Sequence, residues 1–380
     1  MSLTSGWTAY NLLEIRFLNV GHGSSAVISF YSGETVSHGI IDSAWNRANI
    51  PKALSVLNEL KADKLSFVCL THPHADHYGG LSKILQAFDE KIDQFYTCPL
   101  GDLFINRDRL KKLALALKKV LERGDSSSIR QSTQEFMQIL RWGDKNSAKW
   151  TECAGEENRL APSGFSGVDI FSLLPPRSVK GVIISRIESE DPSLLGNINE
   201  NDLSLCLRFT YAGVSVTVGG DATKANWEIR ERFERNSGRD IASQVVNIPH
   251  HGSKHDNPQE VLNRLFVRSG DRYGITSANG QSHPHPETIF MISEMGIDPY
   301  CTNLMPPCGA TVSKLVPIAG VEPGLARLIR ESAEESGEIQ ACQGDILVRI
   351  LSDGTVTVKP EFDNFCSYRK GASAKLNLEI

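Results

Sequence analysis

Among its eight cysteines the chain has no CxxC pair; they stand apart at 69, 98, 153, 206, 301, 308, 342 and 366. That spacing excludes a zinc ribbon and a dithiol redox motif. Several lie inside apolar runs such as SFVCL and LSLCLRF, where cysteine behaves as a small hydrophobe. No basic-then-apolar leader opens the sequence, and no apolar run approaches the ~20 residues that span a bilayer. A reducing, cytoplasmic setting without disulfides or membrane contact is therefore expected. Positive charge is also scarce: 40 Lys and Arg against 45 Asp and Glu leave a net charge of −5. A wholly basic nucleic-acid binder is excluded, whereas a local basic groove, or positive charge brought by metal, is compatible. Short-period repeats and low-complexity tracts are absent too. What is present, 40% hydrophobic and 22% charged over 380 residues, suffices for a large buried core.

The first third reads as strands at LEIRFLNV, SAVISFYS and HGIIDSA, separated by glycine-bearing turns. A helix is predicted over 46–61, where Ile50, Leu54, Leu57 and Leu60 recur at three- and four-residue spacing. The strand LSFVCLT, a helix over Leu81 to Phe88 and a strand near 92–98 follow. Residues 102–165 change character, becoming helical and charged and then loop-like. Beyond them, VDIFSLLPP and VKGVIIS read as strands, and LSLCLRF-TYAG-VSVTVGG reads as a hairpin. Helices over 222–236 and 258–266 alternate with the strands SQVVNIPHHG and RYGITSA. The tail forms a hairpin in GDILVRILSDGTVTVKPE, with Asp353-Gly354 as its turn. Strand groups followed by helices, twice over, predict an α/β fold of two face-to-face sheets with helices outside. One domain over 1–380 is expected, with a helical insertion at about 102–165 and a C-terminal hairpin extension at about 310–380.

The stretch THPHADHYGG, residues 71–80, places His72, His74, Asp76 and His77 on a loop between an apolar strand and a helix. Imidazole nitrogen and carboxylate oxygen are ligands for zinc, manganese and iron. Two adjacent ions fit, one on the first two residues and one on the last two. A merely hydrogen-bonded polar loop is the competing reading, and four potential ligands in six residues count against it. The other histidines are also clustered: His250 with His251, His283 with His285, and His22 between two glycines, leaving only His38 and His255 outside a pattern.

THPHADHYGG resembles the HxHxDH signature of the metallo-β-lactamase fold, and VTVGGDA resembles that fold's later aspartate motif. FLNVGHGSS, NDLSLCL, NIPHHGS and SHPHPET resemble stretches of one branch, which contains the hydrolase domain of the DNA-uptake protein ComEC and phosphorylcholine esterases. The match runs in order from about residue 13 to 290, skipping the insertion. The resemblance implies a four-layer αββα sandwich binding one or two divalent ions, Zn2+ or Mn2+, with Asp221 bridging both. It departs from the family where Asn19 and His22 stand in place of the Asp and Gln that ComEC-like domains often carry, and, more important, no histidine lies between His77 and His250, so the usual third-motif histidine is absent. NDLSL stands there instead, offering Asn201, Asp202 and Ser204 and pointing to a weaker first site or a harder ion such as manganese.

Asp76 is expected to bind one ion while accepting a hydrogen bond from the nucleophile. One of His250 and His251 is expected to be a ligand at its strand end; alternation would turn the other toward substrate or the outer shell. His283 is the choice for general acid and His22 for substrate contact, while Asp42 is expected to support the metal loop from behind. Lys111, Lys112, Lys118 and Lys119 form a basic stripe that fits a polyanion groove, although a solvated helix face is its commoner meaning. The function expected is a metal-dependent phosphodiesterase, foremost a DNA nuclease. The alternatives are hydrolysis of a small phosphodiester, ester or lactone, and a metal-stabilised interaction module of a multi-protein assembly such as a defence system, docking through the insertion and tail.

Overall fold

The computed structural model describes residues 11–45, 50–98, 126–155, 158–188, 199–237, 240–278, 282–303, 342–362 and 366. Two mixed sheets form its frame. The first contains β1 (Leu12–Phe17), β2 (Ala26–Ser32), β3 (Thr35–Ile41), β4 (Phe67–Leu70), β5 (Phe95–Thr97) and β6 (Trp150–Glu152). These are joined beyond β1 by the C-terminal hairpin of β14 (Ile346–Leu351) and β15 (Val356–Pro360), giving the order β15-β14-β1-β2-β3-β4-β5-β6. The second sheet contains β7 (Asn158–Leu160), β8 (Asp169–Leu174), β9 (Cys206–Tyr211), β10 (Val214–Val218), β11 (Val245–Asn247), β12 (Tyr273–Thr276) and β13 (Asp298–Cys301), in reverse sequence order.

Apolar residues from the inner faces of both sheets meet in one core, including Leu13, Ile15, Ile28, Phe67, Phe209, Val216 and Ile275. Burial of that face is the main driving force for closing the sandwich. Outside the first sheet lie α1 (Lys52–Glu59), α3 (Leu81–Ala87), which follows the single turn α2 (Ala75–Tyr78), and α4 (Ser126–Lys145); Leu57, Ile84 and Ile139 pack there against Ile40 and Val68. Outside the second lie α6 (Lys224–Ser237), α7 (Gln259–Leu265) and α8 (Pro286–Glu294), whose Trp227, Leu262 and Ile292 cover Val246. The result is the four-layer αββα sandwich expected from the sequence. Among the described residues no helix is long and apolar enough to cross a membrane.

The hairpin between β9 and β10 turns on Ala212 and Gly213, both at positive φ (49° and 79°). Two left-handed residues match the twist of the flanking strands. Strands β3 to β6 pair in parallel, as do β10 to β13. Their carboxyl ends therefore collect at one edge of the sandwich, where crevices in such sheets form.

Three expectations need correction. VKGVIIS is not a strand but part of helix α5 (Arg177–Glu188). Pro175 and Pro176 bring no N–H to a ladder, and the Val179 N–H donates to the Pro176 carbonyl (3.0 Å), starting a helical turn. The segment 102–165 is not wholly an insertion, because Trp150–Glu152 and Asn158–Leu160 are edge strands of the two sheets. The helix placed at 46–61 begins only at Lys52, after Pro51, with 46–49 outside the described residues. The sequence reading also passed over β13, whose Pro299 marks it as an edge strand. Lys111, Lys112, Lys118 and Lys119 lie outside the described residues, as does most of the stretch between 310 and the hairpin.

Phe209 is fully buried between the sheets and stacks on Phe67 with ring centroids 6.5 Å apart. Phe209→Ala is expected to destabilise the fold by about 3–5 kcal/mol, measured by chemical denaturation.

Candidate metal centre

Four chain segments converge at the carboxyl ends of the parallel strands. After β3, Asp42 enters a left-handed conformation (φ 57°) and its carboxylate is buried. Its Oδ1 accepts the Thr71 backbone N–H (2.7 Å), and its Oδ2 accepts both the Thr71 hydroxyl (2.7 Å) and His77 Nδ1–H (2.7 Å). The Thr71 hydroxyl, having donated to Asp42, accepts from His72 Nδ1 at 3.1 Å. His251 Nδ1 donates to the Ser277 carbonyl (2.7 Å). In all three rings Nδ1 is engaged by an oxygen, so Nε2 faces the centre, as second-shell partners of metal-binding histidines arrange it. Asp42 thus takes the supporting place expected of it.

The inward-facing atoms form two groups. His72, His74 and Asp221 place one ligand atom each within 4.8 Å of one another, and so do Asp76, His77 and His251. Asp221 faces both: its Oδ2 is 3.6 Å from His72 Nε2, while its Oδ1 is 3.2 Å from His77 Nε2 and 3.6 Å from His251 Nε2. Asp76 Oδ2 lies 3.2 Å from His251 Nε2 and 3.9 Å from His77 Nε2. The Ser204 hydroxyl accepts the Asp221 backbone N–H (3.0 Å) and fixes where that carboxylate points.

The donor set fits a divalent cation. His72 Nε2 and Asp221 Oδ1 are buried polar atoms without a hydrogen-bond partner, an expensive condition unless a cation satisfies them. Burial alone would raise the Asp76 and Asp221 carboxyls, but the surrounding imidazoles, His77 foremost, hold both well below the usual carboxylate range. Burial and the neighbouring His77 hold the His72 ring far below its ordinary value, so it is neutral and able to ligate.

The remaining predicted residues sit around these groups. His250 belongs to neither, since its Nε2 is 3.9 Å from Asp221 Oδ2 and accepts from Asn201 Nδ2 (3.3 Å) while its Nδ1 donates to Asp256 (2.6 Å). Strand alternation does not separate it from His251. Both residues lie beyond β11 in a tight turn, each with positive φ (50° and 51°). His283 stacks on His250 with centroids 5.8 Å apart, and burial with its imidazole neighbours pulls it down to about 4. His285 Nδ1 accepts the Lys254 backbone N–H at the start of α8 (3.3 Å). His22 is half exposed, its Nε2 3.6 Å from Asp76 Oδ2. Gly23 beside it, at φ 126°, must be glycine, because a Cβ there would stand 2.2 Å from the Asp76 carbonyl oxygen. Asp202 accepts from the Thr223 hydroxyl (2.9 Å) and holds the start of α6. Thr71 and Asp256, which orient His72, His77 and His250, were not among the residues expected from the sequence. Thr71, directly before the histidine loop, was the one with a positional signal.

Residues 18–93, from the loop after β1 to the approach to β5, match the family model described as the Metallo-beta-lactamase superfamily. No curated protein matches the chain. Similar solved structures include a mutant of the CmlA beta-hydroxylase, 11% identical with a TM-score of 0.40 over 78% of this chain. The match takes in 53% of that protein, so the chain spans about half its length. A diphosphatase from the PhnP family is 12% identical, with a TM-score of 0.37, covering 76% of this chain and 94% of its own. A metallo-beta-lactamase from Hirschia baltica is 14% identical, with a TM-score of 0.31, covering 67% and 92%.

Asp42→Asn keeps the size of the side chain but weakens its hold on His77. Metal affinity is expected to fall about 10- to 100-fold, read by competition against a chromophoric chelator, with the fold retained by circular dichroism.

Proposed function

We propose that the protein is a metal-dependent hydrolase of phosphodiester bonds, with DNA as the foremost substrate. The observation that carries this reading is the pair of donor groups sharing Asp221, one carboxylate oxygen toward each. His72, His74 and Asp221 would hold one ion, and Asp76, His77, His251 and Asp221 a second, with Zn2+ and Mn2+ as the candidates. A divalent ion bound there supplies hydroxide near neutral pH and a Lewis acid for phosphoryl oxygen.

The chain's own residues divide the remaining work. Asp76, held ionised by its imidazole neighbours, serves as the acceptor that orients the nucleophile's proton. Asp42 and Thr71 keep His77 and His72 in the ligating tautomer. His22, half exposed beside Asp76, is placed to contact substrate. His250 and His283 form a stacked pair on the open side of Asp221, oriented by Asp256. As a neutral ring, His283 donates a hydrogen bond to a leaving oxygen rather than carrying a ready proton. The choice of DNA rests on the sequence motifs FLNVGHGSS, NIPHHGS and SHPHPET alone.

Purified protein incubated with single- and double-stranded DNA and Mn2+ or Zn2+ is expected to show chelator-sensitive cleavage. His74→Ala combined with Asp76→Ala is expected to abolish it. Cleavage surviving that double substitution, or none with any divalent ion, would contradict the proposal. Turnover of bis-p-nitrophenyl phosphate without polymer cleavage would redirect it to a small phosphodiester.

A further inference from the structure

The two donor groups are unequal as first drawn. The second has a private carboxylate, Asp76, two imidazoles and one oxygen of Asp221; the first has two imidazoles and the other oxygen of Asp221. No histidine lies between His77 and His250 to complete it, and His250, 3.9 Å from Asp221 Oδ2, is turned to Asn201 and Asp256 instead. On that side of His74 stands Glu200, at the start of a short 3-10 turn, Glu200–Leu203, where the Asn199 side chain accepts the Asn201 N–H. Glu200 is only 8% exposed, and its Oε2 lies 3.6 Å from His74 Nε2. Among the described residues no cationic group other than His74 lies within ion-pairing range of it. A carboxylate is kept from water only where a cation or hydrogen bonds compensate it. Burial beside His74, whose ring lies against that of His72 with its unpartnered Nε2, accounts for Glu200 if it faces a metal ion.

We infer that Glu200 is the missing ligand of the first metal site, a carboxylate in place of the absent histidine. Both sites then present the same set, two imidazoles, one private carboxylate and one oxygen of Asp221. Two ligand atoms ~2.0–2.2 Å from a tetrahedral ion are about 3.3–3.6 Å apart, and the His74–Glu200 separation of 3.6 Å fits that spacing; Glu200 stands outside the group in which His72, His74 and Asp221 lie within 4.8 Å of one another, so its carboxylate has to turn inward to complete the site. Asn201 turns its amide nitrogen to His250 and positions that ring, while its buried Oδ1 has no hydrogen-bond partner and is the rival oxygen. Exchanging imidazole nitrogen for carboxylate oxygen hardens the first site and shifts its preference toward manganese. This inference rests on the dinuclear reading above, though not on any substrate.

The test measures bound metal and melting temperature on the full chain, with no activity assay. Wild-type protein dialysed against Mn2+ is expected to retain two equivalents by elemental analysis. Glu200→Gln, which keeps the shape and drops the charge, is expected to bind the first-site ion about 10- to 100-fold more weakly. Glu200→His is expected to restore that ion with a preference for Zn2+, and Asn201→Ala to keep both. In chelator, Glu200→Gln is expected to melt no lower than wild type, because the uncompensated charge is gone, whereas a structural role would lower both melting temperatures. Unchanged affinity in Glu200→Gln, or fewer than two ions in wild type, would overturn the inference. Two ions in wild type and one in Glu200→Gln, without DNA cleavage by either, would sustain the inference and overturn the proposed activity.

Discussion

The arrangement depends on Asp221, a carboxylate buried among His72, His77 and His251, with no Lys or Arg within ion-pairing range among the described residues. Left to burial it would protonate; the imidazoles around it keep it ionised. Those rings are held by the Thr71 hydroxyl, Asp42 and the Ser277 carbonyl, so the Nε2 atoms that face Asp221 are in place before any ion arrives. Much of the cost of ordering ligands is therefore met by folding itself.

The fold makes that convergence possible. Asp42 follows β3, His72 follows β4, Asp221 follows β10 and His251 follows β11, and all four strands end at the same edge. The C-terminal hairpin also reaches this edge. Asp345, just before β14, accepts the Asn19 N–H (2.8 Å) and pairs with Lys52, which steadies the loop that carries His22. Residues more than three hundred positions apart thus shape one mouth.

Much of this was legible in the sequence, for a physical reason. Ligands packed into THPHADH declare themselves because they are close along the chain, and strands such as VSVTV declare themselves through β-branched runs. The two-sheet sandwich and the three loops that meet at its edge followed from those signals. Legibility failed where partners are distant or local propensity misleads. Glu200 is one acidic residue among many in a polar turn, and only the spatial neighbourhood of His74 distinguishes it. Asp256 likewise gains meaning only through His250. His250 and His251 could not be sorted by alternation, because the chain leaves the strand before reaching them and turns through two left-handed residues. VKGVIIS has a strand's composition, yet it follows two prolines and its spacing also suits a helix.

The most direct measurement is diffraction from crystals of the metal-loaded chain at the manganese or zinc absorption edge. The account predicts two anomalous peaks flanking the Asp221 carboxylate, about 3.5–4 Å apart, one beside His72 and His74 and the other beside Asp76, His77 and His251. No peak at Asp221, or metal bound only elsewhere on the molecule, would contradict it.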